Sequence, residues 1–182
     1  MTYRNASYCA FYVSEPFSTS GLGAFATRDF CHYMTLKMWK AQDNSFPFTN
    51  AHDKTYDVRD GSSWELTLKP RLHERLRHSK NIILFLSSHT KASRALSEEM
   101  EYGIGTLGLP VIVVYTEFNP VAPDGRFDIR VYKLWSKLPA FERNMDSVPT
   151  IHIPMEKEAL RKALLDPGYT VQNQYGPGTY RL

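Results

Sequence analysis

The sequence predicts an α/β domain: a doubly wound parallel sheet of about five strands with helices on both faces. Three observations predict it. Residues 81–86 (NIILFL) and 110–115 (PVIVVY) are continuous apolar runs of strand length, the pattern of strands buried on both sides. Between them, Leu96, Met100, Gly103 and Leu107 recur at helical spacing, so strand, helix and strand make a crossover unit. The 182 residues, 42% hydrophobic and 23% charged, suit one domain able to bury roughly 70% of its unfolded surface.

The elements follow in order. Residues 8–13 (YCAFYV) read as a buried first strand. After a loop with Pro16, Gly21 and Gly23, residues 25–40 read as a helix, with Phe30, Met34 and Met38 on one face. Residues 45–48 are a second strand weakened by Pro47. The polar run TNAHDKTYDVRDGSS is too long for a tight turn, and loops of that length often carry function. Residues 64–78 form a second helix that Pro70 kinks or restarts. Ser93 caps a third helix over residues 94–107. Residues 117–149 are irregular apart from a short helix near 131–138. Residues 151–153 are the last strand and 156–165 the last helix. The expected division is a domain over residues 1–165 and a coil tail over 166–182.

Composition narrows the function classes. Two cysteines, Cys9 and Cys31, point to a reducing compartment, and no apolar run reaches the ~20 residues that span a bilayer, so the expected location is the cytoplasm, with no membrane partner. The net charge of +3 is small and LKPRLHERLRHSK mixes both signs, which argues against a nucleic-acid partner. GLGAFA at residues 21–26 matches a dinucleotide-binding pattern, but seven residues separate it from the strand end, so a loop entering a helix is the better reading. In HERLRH the histidines are five apart, about 140° from a common helix face, so no metal site is expected there.

Ligands on doubly wound sheets bind beyond the carboxyl ends of the strands. The stretch from Ser87 to Met100 runs from such an end into a helix. Glu99 lies about 60° from Leu96, on the edge of the core stripe, whereas Glu98 falls on the opposite face. A carboxylate on a core-facing edge needs either a cation, from Arg94 or the second helix, or a chemical task.

The same stretch resembles the signature of Toll/interleukin-receptor (TIR) domains, S-x-x-Y-x-x-S-x-W-C-x-x-E. Ser87, Ser93 and Glu99 fall on its serines and glutamate, while Thr90, Ala95 and Leu96 replace its tyrosine, tryptophan and cysteine. The run NAHDKT…VRD from Asn50 to Asp60, the SKN that leads into the third strand, and TIHIPMEKEALRKAL are similar to the bacterial TIR-like family typified by ThsB of the Thoeris antiphage system. The resemblance spans about residues 2–165. It implies a flavodoxin-like, TIR-like sheet and an enzyme that consumes NAD as substrate, without a further cofactor. Such an enzyme cleaves the nicotinamide–ribose bond and makes a cyclic or modified ADP-ribose signal for a partner effector protein. By this analogy Glu99 is catalytic.

Further substrate-binding candidates are Phe11, Ser14, Asn50, His52, Asp53, Arg59, Asp60, Ser87, Ser88 and Ser93. Ser87 and Ser88 can meet a ribose or phosphate, or cap the strand–helix turn. Arg59 can pair with pyrophosphate or with Asp57 or Asp60. His52 can shuttle a proton or cap a turn. Phe11 can stack on a base or pack in the core, and Phe17 can stack in the same way. Residues 131–141 (VYKLWSKLPAF) offer aromatic side chains for a homo-oligomer contact. Two rival readings stand beside the enzyme: a non-catalytic TIR-like adaptor, and a nucleoside deoxyribosyltransferase-like glycosidase.

Overall fold

A computed structural model describes residues 4–12, 28–52 and 63–182. Five parallel strands stand side by side in chain order: β1 (Ala6–Ala10), β2 (Ser79–Leu86), β3 (Val111–Tyr115), β4 (Pro149–Pro154) and β5 (Gly178–Arg181). The apolar runs of β2 and β3 are adjacent, with Ile82 opposite Val111 and Leu86 opposite Tyr115, and every residue of β3 is buried. Alternation along them divides the core. Ile82, Leu84, Val111 and Val113 face α2 (Lys69–Arg77), α3 (Arg94–Met100), α4 (Ile129–Trp135) and α5 (Pro139–Asn144). Ile83, Phe85, Ile112 and Val114 face α1 (Arg28–Gln42) and α6 (Lys157–Leu165). The sheet is therefore covered on both faces, as the unbroken apolar runs require.

Several expectations need correction. The expected second strand is reduced to one parallel bridge between Ser7 and Asn50. Pro47 cannot donate to a ladder, and Phe46 and Phe48 are drawn into the α1 side of the core instead. The tail is not plain coil: it supplies β5, and on the way Val171 N–H donates to the Lys80 carbonyl (2.9 Å) and the Gln172 amide to the Arg4 carbonyl (2.8 Å). On α1 the buried stripe is Tyr33 and Leu36, with Phe30 and Trp39 packed beside them, while Met34 and Met38 are exposed. Aromatic side chains fill more space against the sheet than methionines do, and they set the phase of the helix. In residues 131–141 the expected oligomer patch is mostly core, since Val131, Leu134, Trp135, Leu138 and Phe141 are buried and Tyr132 alone among the large apolar side chains there is half-exposed.

The third helix, expected to be continuous over residues 94–107, changes to π geometry over Glu101–Thr106. Gly103 lies there so close to β2 that a Cβ would come 2.6 Å from Ile82 Cδ1. The close approach brings the helix down onto the sheet and fixes the side that Glu99 presents one turn earlier.

Candidate functional site

The site lies along the outer edge of β1, where the missing strand leaves the sheet open. Ser7 N–H donates to the Thr49 carbonyl (2.7 Å), and Ala51 N–H donates to the Ser7 carbonyl (3.2 Å). The next rung is met by a side chain: His52 Nε2 lies 3.3 Å from Cys9 N and 3.1 Å from Cys9 O. One tautomer accepts from the Cys9 N–H and the other donates to its carbonyl. The imidazole thus does at Cys9 what a neighbouring strand would do with its backbone.

Around this edge is a cavity of about 270 Å³ lined by aromatic side chains from both faces of the sheet and by Glu99. Tyr8 points to the α2/α3 face, and Phe11 to the α1 face beside Phe30 and Tyr33. Arg71 and Arg75 line it from α2, four residues apart on one helix face, and Ser93, Ala95 and Glu99 line it from the start of α3.

Glu99 is the titratable centre. Tyr8 Oη donates to Glu99 Oε1 at 2.7 Å, whereas Oε2 is buried with no hydrogen-bond partner among the described residues. Burial pushes the carboxyl pKa up to about 8, against the opposing influence of the Tyr8 hydrogen bond and the nearby Arg75 guanidinium. The Tyr8 hydroxyl and the Cys9 thiol are pushed upward too, first by burial and then by the Glu99 charge. At neutral pH the resting site therefore holds Glu99 mainly as the neutral acid. Arg94 is not its counter-ion, since it pairs with Glu65 (2.9 Å) and lies over the Trp64 ring.

Of the sequence candidates, Phe11, His52, Ser93 and Glu99 share this cavity. Asn50 stands one bond behind it: its amide nitrogen donates to Tyr33 Oη (2.7 Å) and its oxygen accepts the His52 N–H (3.0 Å). Ser93 is also the α3 N-cap, accepting from Leu96 N–H at 3.1 Å, so Ser93→Ala should cost about 1 kcal/mol in a thermal or urea melt. Ser14, Asp53, Arg59 and Asp60, with Phe17, lie outside the described residues. Tyr8, Tyr33, Arg71 and Arg75 were not singled out from the sequence. Tyr8 reads there as part of a buried strand, and the i, i+4 arginines beside the buried Leu72 and Leu76 gave the one further signal.

Ser87 and Ser88 do not join Glu99. Ser87 Oγ accepts from His89 N–H (3.2 Å), and Ser88 donates from N–H and Oγ to Glu117 (2.9 and 2.7 Å). They belong to a second polar cluster at the carboxyl ends of β2 and β3. There Asp29 is buried, its carboxyl raised by burial, with the Ser87 hydroxyl beside it but outside hydrogen-bond geometry. Glu98 also departs from expectation: it faces α2, accepting from His73 (2.7 Å) with Lys69 at 3.4 Å. Its neighbour across the interface is a helix, not solvent.

Among the described residues, no three or more His, Cys, Asp or Glu side chains are placed to hold a metal ion, and no helix is long and apolar enough to cross a membrane. The profile of one protein family, described as Thoeris protein ThsB, TIR-like domain, matches residues 8–120 of the chain. That stretch contains the Tyr8–Ala10 part of β1, the His52 edge, both cavity-lining arginines and the whole of α3.

Proposed function

The chain belongs to the family of the TIR-like domain of Thoeris protein ThsB, a membership that ties it to antiphage defence, and on that premise we propose that it cleaves the nicotinamide–ribose bond of NAD. The observation that carries this reading is the Glu99 carboxyl at the cavity, with Oε1 held by Tyr8 and Oε2 left without a partner among the described residues.

In the proposed reaction the C1′–N bond breaks and its electron pair leaves with nicotinamide, which departs neutral. Positive charge develops on the ribose as an oxocarbenium-like state. An ionised Glu99 stabilises that charge more than it stabilises the ground state, which is what lowers a barrier. Water, or a hydroxyl of the same ADP-ribose, then bonds to C1′ and releases its proton, giving free or cyclic ADP-ribose. The raised pKa fits this scheme in one respect: a cationic nicotinamide ring in the same cavity favours the carboxylate, so substrate binding itself charges the catalytic group. The aromatic walls suit a flat ring, and Arg71 and Arg75 suit phosphate.

The product is proposed to act as a nucleotide signal to an effector protein of the defence pathway. The rival reading, an interaction module without chemistry, draws support from the burial of Oε2, which no substrate atom touches unless the cavity opens. Incubating the purified chain with NAD, alone and with extract from phage-infected cells, separates the two. Mass spectrometry finds nicotinamide with ADP-ribose or its cyclic form if the enzyme reading holds, and intact NAD under both conditions if it fails.

A further inference from the structure

A second, larger groove opens at the other end of the sheet. It has a volume of about 920 Å³ and lies where the amino ends of β1 and β2 meet the end of α6 and the tail. Among the described residues three cationic side chains line it, Arg4, Lys40 and Lys80, and no carboxylate does. Lys40 is fixed by donating to the Asn44 and Phe46 carbonyls (2.8 and 2.9 Å). Lys80 is half-buried on β2 and makes no hydrogen bond or ion pair with a described residue, and the Arg4 guanidinium makes none either. Burial lowers the Lys80 pKa, and no acid is close enough to offset it. A half-buried cation without a counter-charge is costly unless a ligand supplies one.

The remaining lining is of two kinds. Asn5, Thr49 and Asn173 offer hydrogen-bonding groups, beside the Thr170 hydroxyl and Gln172 amide, which donate to the Pro167 and Arg4 carbonyls (2.7 and 2.8 Å), and Leu164, Leu165, Pro167 and Val171 form an apolar wall on which Leu165 is 62% exposed. Positive charge, amide and hydroxyl donors and an apolar wall in a groove of this size match a ligand with phosphate at one end and a ring at the other. We propose that this groove binds a nucleotide-type phosphate ester. The inference does not rest on chemistry at Glu99. Much of the groove is built by residues 164–173, beyond the stretch that matches the family profile.

The test is calorimetric titration of the full chain with ADP and with adenosine, at low and at physiological salt. ADP should bind saturably and adenosine should not, and the ADP affinity should fall as salt rises. Lys80→Met and Arg4→Ala should each weaken ADP by about tenfold or more, the usual effect of losing a charge-assisted bond. Glu142→Gln, an exposed change on α5 away from both cavities, should leave the ADP affinity unchanged. Lys80→Met should melt at or above the wild-type temperature, because it removes a half-buried charge with no partner. Absence of saturable ADP binding overturns the proposal. So does binding that both Lys80→Met and Arg4→Ala leave intact, since the ADP then sits elsewhere. A Lys80→Met variant that melts lower with unchanged ADP affinity assigns Lys80 to the scaffold and overturns it equally.

Discussion

Glu99→Gln is expected to lower NAD turnover by about 100- to 1,000-fold, roughly 3–4 kcal/mol of transition-state stabilisation, while making the protein more stable in alkali. The second half follows from the sign of the pKa shift. The folded-state pKa of about 8 lies above the ordinary glutamate value of 4.5, so the folded protein holds a proton that the unfolded chain has lost. Wild-type stability from this group is complete below about pH 4.5 and is lost as pH rises to about 8. Glutamine keeps the neutral shape and cannot ionise. The two melting curves should therefore separate across that window, and above it the variant should be ahead by on the order of 5 kcal/mol, roughly 10–20 °C in a chain of this size. Glu98 is a poor control, because its bond to His73 ties α3 to α2. Exposed Glu142 on α5 is the better one, and Glu142→Gln should change neither property. Equal turnover by wild type and Glu99→Gln would remove the catalytic assignment, and a lower alkaline melting temperature for Glu99→Gln would remove the buried neutral acid.

Tyr8→Phe is expected to cost about tenfold or more in turnover at pH 7, with recovery at higher pH. Among the described residues the Tyr8 hydroxyl is the one hydrogen-bond donor to the Glu99 carboxyl, and it favours the charged form, so its loss should push the carboxyl pKa above about 8. Hydrogen bonds to charged groups contribute about 1.5–3 kcal/mol, which sets the size of the effect. The acid limb of the pH–rate profile should move to higher pH, with little change in KM. If Tyr8 only packs against β2 and α3, Tyr8→Phe leaves the profile in place and any loss appears in the melting temperature alone.

What the sequence reveals depends on how directly a residue pattern reports its surroundings. β2 and β3 are legible because the unbroken apolar runs IILFL (residues 82–86) and VIVVY (residues 111–115) tolerate only double burial. Glu99 is legible because three residues along one helix fix its angle to Leu96. Met34 and Met38 mislead, since apolar spacing alone does not say which of two stripes the aromatics will occupy. β5 is hidden because GTYR is short, alternates between partial and full exposure, and follows Pro177. Tyr8 is hidden because a tyrosine in a buried strand is ordinarily core, and its hydroxyl acquires a partner 91 positions away only through the fold.

The single bridge at Ser7 and Asn50 sets stability against access. An uninterrupted neighbour along β1 would add ladder bonds, remove an open edge and rigidify the domain, yet it would run through the space between Phe11 and Glu99 that the cavity now occupies. Selection for a firmer sheet and selection for a reachable carboxyl therefore pull residues 46–52 in opposite directions. Substitutions that favour a continuous strand there, such as Pro47→Thr together with His52→Val, are the ones by which this scaffold would become sturdier and close its own entrance.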